Sequence, residues 1–142
     1  MKSSQATFRF VCIGGMVLST ANAFENFAHY FPEERDYLLK TIQKERIQGV
    51  IFLTGDRHHT ELSAWHPKGG VAVYDLTISP LTSGAYPGDG DENRFLVPGT
   101  VVETQNFGVL EVSGPRESRS LLISVYDAEG KKLWENRVDA GK

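Results

Sequence analysis

The run Val50-Ile51-Phe52-Leu53-Thr54, entered through Gly49 and left through the polar loop Gly55-Asp56-Arg57-His58-His59, constrains this chain more than any other feature. A continuous apolar run of this length is too short for a helix and suits a central strand covered on both faces. The residues before it read as a helix over about 33–46. Pro32 loses no needed donor in a first turn, Glu33 and Glu34 oppose the positive end of the helix dipole, and Lys44 and Arg46 suit its negative end. Tyr37, Leu38, Leu39 and Ile42 supply the apolar stripe, and the helix is expected to stop near Ile47-Gln48-Gly49. Helix, glycine, buried strand and polar loop make an α/β unit. In such sheets ligands gather beyond the carboxyl ends of strands, where residues 55–59 fall.

The remainder predicts one main helix followed by mostly β structure, an α/β chain. Residues 7–13 alternate in the manner of a strand ended by Gly14-Gly15, and residues 19–30 read as a structured loop with a helical turn. Residues 71–78, 100–103 and 107–112 are further strand candidates. Residues 121–126 and 132–138 flank Asp127-Ala128-Glu129-Gly130 as a hairpin, with the glycine supplying a positive φ. The stretch from Pro80 to Pro98, rich in Gly, Ser, Pro and Asp, is too long for a mere connector.

Composition narrows function by exclusion. A chain of 142 residues suits one compact domain, and its net charge of −3 gives no general attraction for nucleic acid or anionic membranes. No apolar run approaches the roughly 20 residues of a membrane span. The lone Cys12 excludes an intrachain disulfide and a cysteine-based zinc cage, and reads as a small buried hydrophobe. Lys2, Arg9, the apolar stretch 10–18 and Ala21-Asn22-Ala23 imitate a secretory signal, but the glycine pair and the alternation around Arg9 favour a folded strand.

Asp56 and His58 stand two positions apart after the buried strand. If extended geometry persists, they point to one side and can share a metal ion. Carboxylate oxygen and neutral imidazole nitrogen are the ligands expected of hydrolytic divalent or trivalent metals. Gly55 would allow close approach of the backbone, Arg57 suits a phosphate contact, and His59 and Glu61 suit supporting or substrate contacts. The alternative is a solvated loop in which the aspartate caps a turn. Gly14-Gly15 and Gly69-Gly70 lack phosphate-loop spacing, Ser79 and Ser83 lack a nucleophile elbow, and the isolated His29 and His66 read as surface or packing residues.

The segment from Gly49 to Ser63 resembles the stretch of PhoD-like alkaline phosphatases, in the metallophosphoesterase superfamily, of the form G-V-x-F-L-[ST]-G-D-x-H-x-x-E-L. Similarity extends to residues 6–10, to Phe24-Glu25-Asn26-Phe27 and to Glu34-Arg35 with its helix. It continues through Tyr74-Asp75-Leu76-Thr77, Ser79-Pro80-Leu81-Thr82-Ser83-Gly84 and Asn106-Phe107-Gly108, so Ala21-Asn22-Ala23 reads as interior sequence. The resemblance implies the C-terminal half of a four-layer αββα sandwich, with residues 1–142 the later part of the domain and the N-terminal half absent. It implies Asp56 and His58 as catalytic metal ligands and iron and calcium as cofactors; Arg57 and His59 stay candidate substrate contacts by their chemistry, His59 at a position that looks variable in the family. Phosphate monoesters or diesters are then the substrates, and the compartment is periplasmic or extracellular. The superfamily's earlier motifs, of D-x-H, G-D-x-x-D and G-N-H-[DE] type, have no counterpart here. Two ligands do not satisfy ions that take about four to six donors, so the isolated chain is expected to be inactive, with 50–54 lacking a sheet neighbour. The rival readings are a non-catalytic β-rich binding module and a phosphodiesterase or nuclease of the same superfamily.

Overall fold

The computed structural model describes residues 1–21, 24–87 and 93–139. Asn22 and Ala23 of the signal-like triplet, and residues 88–92 of the long loop, lie outside them.

The expected α/β unit forms. Strand β1 (Arg9–Cys12) leads through a single helical turn, α1 (Phe27–Tyr30), into α2 (Pro32–Lys44) and then β2 (Val50–Thr54). α2 begins at Pro32 with Glu33 and Glu34 in its first turn, as the sequence predicts. It ends earlier than Gly49. Arg46 takes a left-handed φ of 49°, its N–H donates to Gln43 O at 3.1 Å, and that of Ile47 donates to Ile42 O at 3.0 Å. This is a Schellman stop built on arginine rather than glycine. Gly49 serves another purpose: at φ 64° its backbone lies against the Thr7 carbonyl so closely that a Cβ would clash. Tyr37, expected on the apolar stripe, is 74% exposed, because it lies about 200° around the helix from the buried Leu39.

β2 runs parallel to both β1 and β4 (Val73–Thr77), and β3 (Glu61–Trp65) adds to β4 antiparallel, in the order β1-β2-β4-β3. The expectation that 50–54 lacks a sheet neighbour is therefore corrected. β2 is flanked on both sides, and the edge left open among the described residues belongs to β1, with Phe10 40% exposed. Cys12 is exposed on that edge strand, not buried as expected. Sequence reading missed β3 because its alternate residues Glu61 and Ser63 are polar, yet both are buried.

β5 (Asn106–Ser113), β6 (Ser120–Asp127) and β7 (Lys132–Asp139) form a separate antiparallel sheet, with one 3-10 turn (Arg116–Ser118) between β5 and β6. The β6–β7 hairpin is as expected: Gly130 has φ 84°, and the Asp127 carboxylate accepts from the N–H groups of Glu129 and Lys131. Residues 100–103 do not form a strand; Val102 makes only an isolated bridge with Thr60.

Two apolar clusters define the layers. Leu39, Ile42 and Ile47 pack on Val50, Phe52 and Val73, while Ile51, Leu62 and Leu76 on the opposite face meet Leu121, Ile123 and Val138 of the second sheet. Helix, mixed sheet and antiparallel sheet thus make three layers, joined by burial that is the main favourable term in such folds. The described residues form no fourth layer, so the four-layer sandwich implied by resemblance is seen only in its coarser α/β form.

Candidate functional site

The carboxyl ends of β2 and β4 carry a buried polar knot. Asp75 is 1% exposed; its Oδ2 accepts from the backbone N–H of Val17 at 2.6 Å and Leu18 at 2.8 Å, and its Oδ1 from the Thr54 hydroxyl at 2.9 Å. Thr77 completes the chain through its hydroxyl, 2.8 Å from that of Thr54. On the other side of the same loop, Arg35 Nε donates to Val17 O at 2.6 Å and its Nη2 to Leu18 O at 2.8 Å. Helix and sheet therefore hold the post-β1 loop between a guanidinium and a carboxylate. Loss of hydration pushes the Asp75 carboxyl up to about 6, against the opposing pull of its three donors.

Beyond β2 the chain does not stay extended. Asp56 and His58 both take left-handed φ, 66° and 58°, around a tight turn in which Arg57 N–H donates to Gly55 O at 2.8 Å. Aspartate and histidine tolerate this region better than most side chains, though it remains a costly one. The turn, not strand alternation, brings Asp56, Arg57 and His58 to one open pocket with Phe24, Glu25 and Tyr86. Asp56 is exposed and its carboxylate has no partner among the described residues.

His58 is held from four directions. Its N–H donates to Ser79 Oγ at 3.2 Å, its carbonyl accepts from Tyr86 N–H at 3.0 Å, and its ring lies 5.0 Å from that of Tyr86. Its Nδ1 is 2.5 Å from Gly84 O. A carbonyl only accepts, so Nδ1 carries the proton and Nε2 keeps its lone pair. Imidazole fixed in this way is the usual form of a histidine metal ligand. His58 and Asp56 are thus two donors of the types that metals take, but among the described residues no group of three or more His, Cys, Asp and Glu is placed to hold an ion.

The remaining expected site residues are placed differently. Arg57 lines the pocket, but its side chain is 7% exposed, with Nη1 donating to Phe24 O at 2.8 Å and lying 4.0 Å from the Glu25 carboxylate. His59 is 2% exposed and is not brought to the pocket. Its Nδ1 meets Arg57 O at 3.2 Å and its Nε2 lies 3.4 Å from Glu61, which in turn accepts from Asn93 at 2.8 Å. Gly55 has no positive φ, and a Cβ there would meet only Ile78 O at 3.7 Å, so packing within the chain does not require glycine. Asp75, Arg35 and Asn106 went unassigned in the sequence, since nothing in a strand or helix pattern marks a buried polar contact; the quoted segments around them were the available signal.

No family model matches the chain. A solved structure of PhoD is similar with a TM-score of 0.66 over 99% of this chain, at 15% identity, and the chain spans 33% of that structure. At this identity the likeness shows the fold alone. Among curated proteins, the tRNA-specific 2-thiouridylase MnmA of Pseudothermotoga lettingae is 27% identical over 110 residues; the match takes in 73% of this chain and 24% of the relative.

Proposed function

We propose that this chain is the C-terminal part of a metal-dependent phosphoesterase of the PhoD type, in which Asp56 and His58 each give one ligand to an iron- and calcium-containing centre. The observation that carries the reading is the pairing, in one open pocket, of a carboxylate without a partner among the described residues and an imidazole whose Nδ1 faces Gly84 O. A non-catalytic binding module would instead direct the two side chains apart or tie both up in internal hydrogen bonds. The PhoD-like fold over nearly the whole chain adds support. When bound, such cations activate water and neutralise charge building on phosphoryl oxygens.

The chain's own residues then have separable roles. Gly55, just before Asp56, carries no Cβ to hinder close approach to the turn. Arg57 is the cation of the pocket wall and the group assigned to meet a phosphoryl oxygen, with part of its charge balanced by Glu25 at 4.0 Å. His59 we assign to holding Glu61 in place rather than to substrate. The remaining donors come from an N-terminal part, which the open edge of β1 and the exposed Phe10, Ile13, Tyr30 and Phe31 beside it suit as a docking face. The likeness to a tRNA-modifying protein is not carried over to function, because a net charge of −3 gives no footprint for RNA.

The test is hydrolysis of p-nitrophenyl phosphate and bis-p-nitrophenyl phosphate, with iron and calcium supplied, by the chain alone and combined with a matching N-terminal part. Activity is expected only in the combination, with Asp56→Asn and His58→Ala each lowering kcat/KM by about 100-fold or more. Strong metal-dependent turnover by the chain alone would sink the claim of incompleteness. Full activity of the combined His58→Ala protein would remove His58 from the centre.

A further inference from the structure

The loop from Ser79 to Gly84 supplies two of the contacts that hold His58: Ser79 Oγ accepts its backbone N–H, and Gly84 O takes its ring proton. Among the described residues no strand of the first sheet bonds the far end of that loop, and the loop is gripped instead by Asn106, the first residue of β5, and by Gln105 just before it. Asn106, 1% exposed, bonds through its backbone N–H and both ends of its side-chain amide. Its backbone N–H donates to Pro80 O at 2.9 Å, and its side-chain amide donates to Ser79 O at 3.2 Å and Thr104 O at 2.8 Å. Its Oδ1 accepts from the Thr60 hydroxyl at 2.7 Å, and that hydroxyl oxygen in turn accepts from Ser79 N–H at 3.1 Å. Gln105, exposed, reaches the other end of the loop: its Nε2 donates to Ser83 O at 3.1 Å, one residue before Gly84. Close approach of the sheet is made possible by Gly108, where any Cβ would collide with Ile78.

We infer that Gln105 and Asn106 are positioning residues that set the tautomer and orientation of His58 by gripping both ends of the 79–84 loop. The second sheet is then part of the site's machinery and not only a cover for the core. This rests on the reading of His58 as a metal ligand. Its physical basis is that a ligand imidazole performs only when the partner of its other nitrogen is fixed, and disturbing such partners costs about 10- to 100-fold in metal affinity.

The test uses the whole chain, labelled with 15N and combined with an unlabelled matching N-terminal part that supplies the remaining donors, at about pH 8, where free imidazole is neutral. Long-range ring correlations report which nitrogen of His58 carries the proton, and line broadening on titration with Mn2+ alone reports ligation. In the wild type Nδ1 is expected to be protonated. Gln105→Glu, which keeps size but removes the donor, and Asn106→Ala are expected to shift His58 toward a tautomer mixture and to raise the Mn2+ midpoint about tenfold. Gln105→Lys, which keeps a donor for Ser83 O, should retain the wild-type tautomer. A role in stability alone would leave the ring signature unmoved. Should Asn106→Ala not fold, the exposed Gln105 pair decides. An unchanged tautomer in Gln105→Glu overturns the inference. A wild type with protonated Nδ1 but no Mn2+ broadening at His58 overturns instead the ligand reading, leaving the grip to stand on the tautomer shift.

Discussion

Asp75, in the middle of β4, and Asp56, just beyond the carboxyl end of the neighbouring parallel β2, have opposite surroundings. Asp75 is buried and its two oxygens accept from two backbone N–H groups and a threonine hydroxyl. Asp56 is exposed, without a partner among the described residues, on a backbone with φ 66°. One carboxylate holds the fold's loops together, while the other sits at some conformational cost and gives the chain nothing visible in return. Regular packing explains the first. The second makes sense as a group held ready for a ligand.

The comparison breaks most directly at Asp75. Asp75→Ala would leave the N–H groups of Val17 and Leu18 and the Thr54 hydroxyl buried without an acceptor, and each such group costs about 1–3 kcal/mol. A loss of about 4 kcal/mol is expected in urea unfolding, whereas Asp56→Asn should change stability by less than about 0.5 kcal/mol. Equal losses at the two positions would erase the distinction.

A second, smaller effect is in pH. Burial raises the Asp75 carboxyl from 3.8 to about 6, so the native state holds this proton more tightly than the unfolded chain. Its contribution is therefore fully present below about pH 3.8 and is lost as pH rises through about 6, a span worth about 3 kcal/mol. Unfolding free energy measured between pH 4 and 7 should carry this downward component, and Asp75→Asn should remove it. Identical pH profiles for the two proteins would show that Asp75 titrates normally.

The conformational cost at Asp56 is smaller again. Asp56→Gly removes the left-handed penalty and is expected to stabilise the chain by about 1 kcal/mol while eliminating a ligand. The sharpest control lies outside both regions. Arg46→Gly, at the left-handed stop of α2, should stabilise by up to about 0.8 kcal/mol without altering Mn2+ broadening at His58. Destabilisation by Asp56→Gly in thermal unfolding would mean that its side chain supports the fold after all.

The α/β unit was legible in the sequence because it is written in local terms. Pro32 with Glu33 and Glu34, the apolar run into Thr54 and the Asp127–Gly130 turn each act within a few residues, where helix dipole, strand burial and turn geometry operate. The position of Asp56 and His58 beyond β2 followed from the same logic. Their common pocket did not, since it arises from two left-handed residues instead of strand alternation. The tautomer of His58, the burial of His59 against Glu61 and the grip of Asn106 on Ser79 join residues up to 27 positions apart. Such contacts form only when the loops and sheets close on one another and polar groups deprived of water must find partners. Periodicity carries no record of that search, so the sequence by itself determined where a site could stand, and tertiary packing decided which atoms face it.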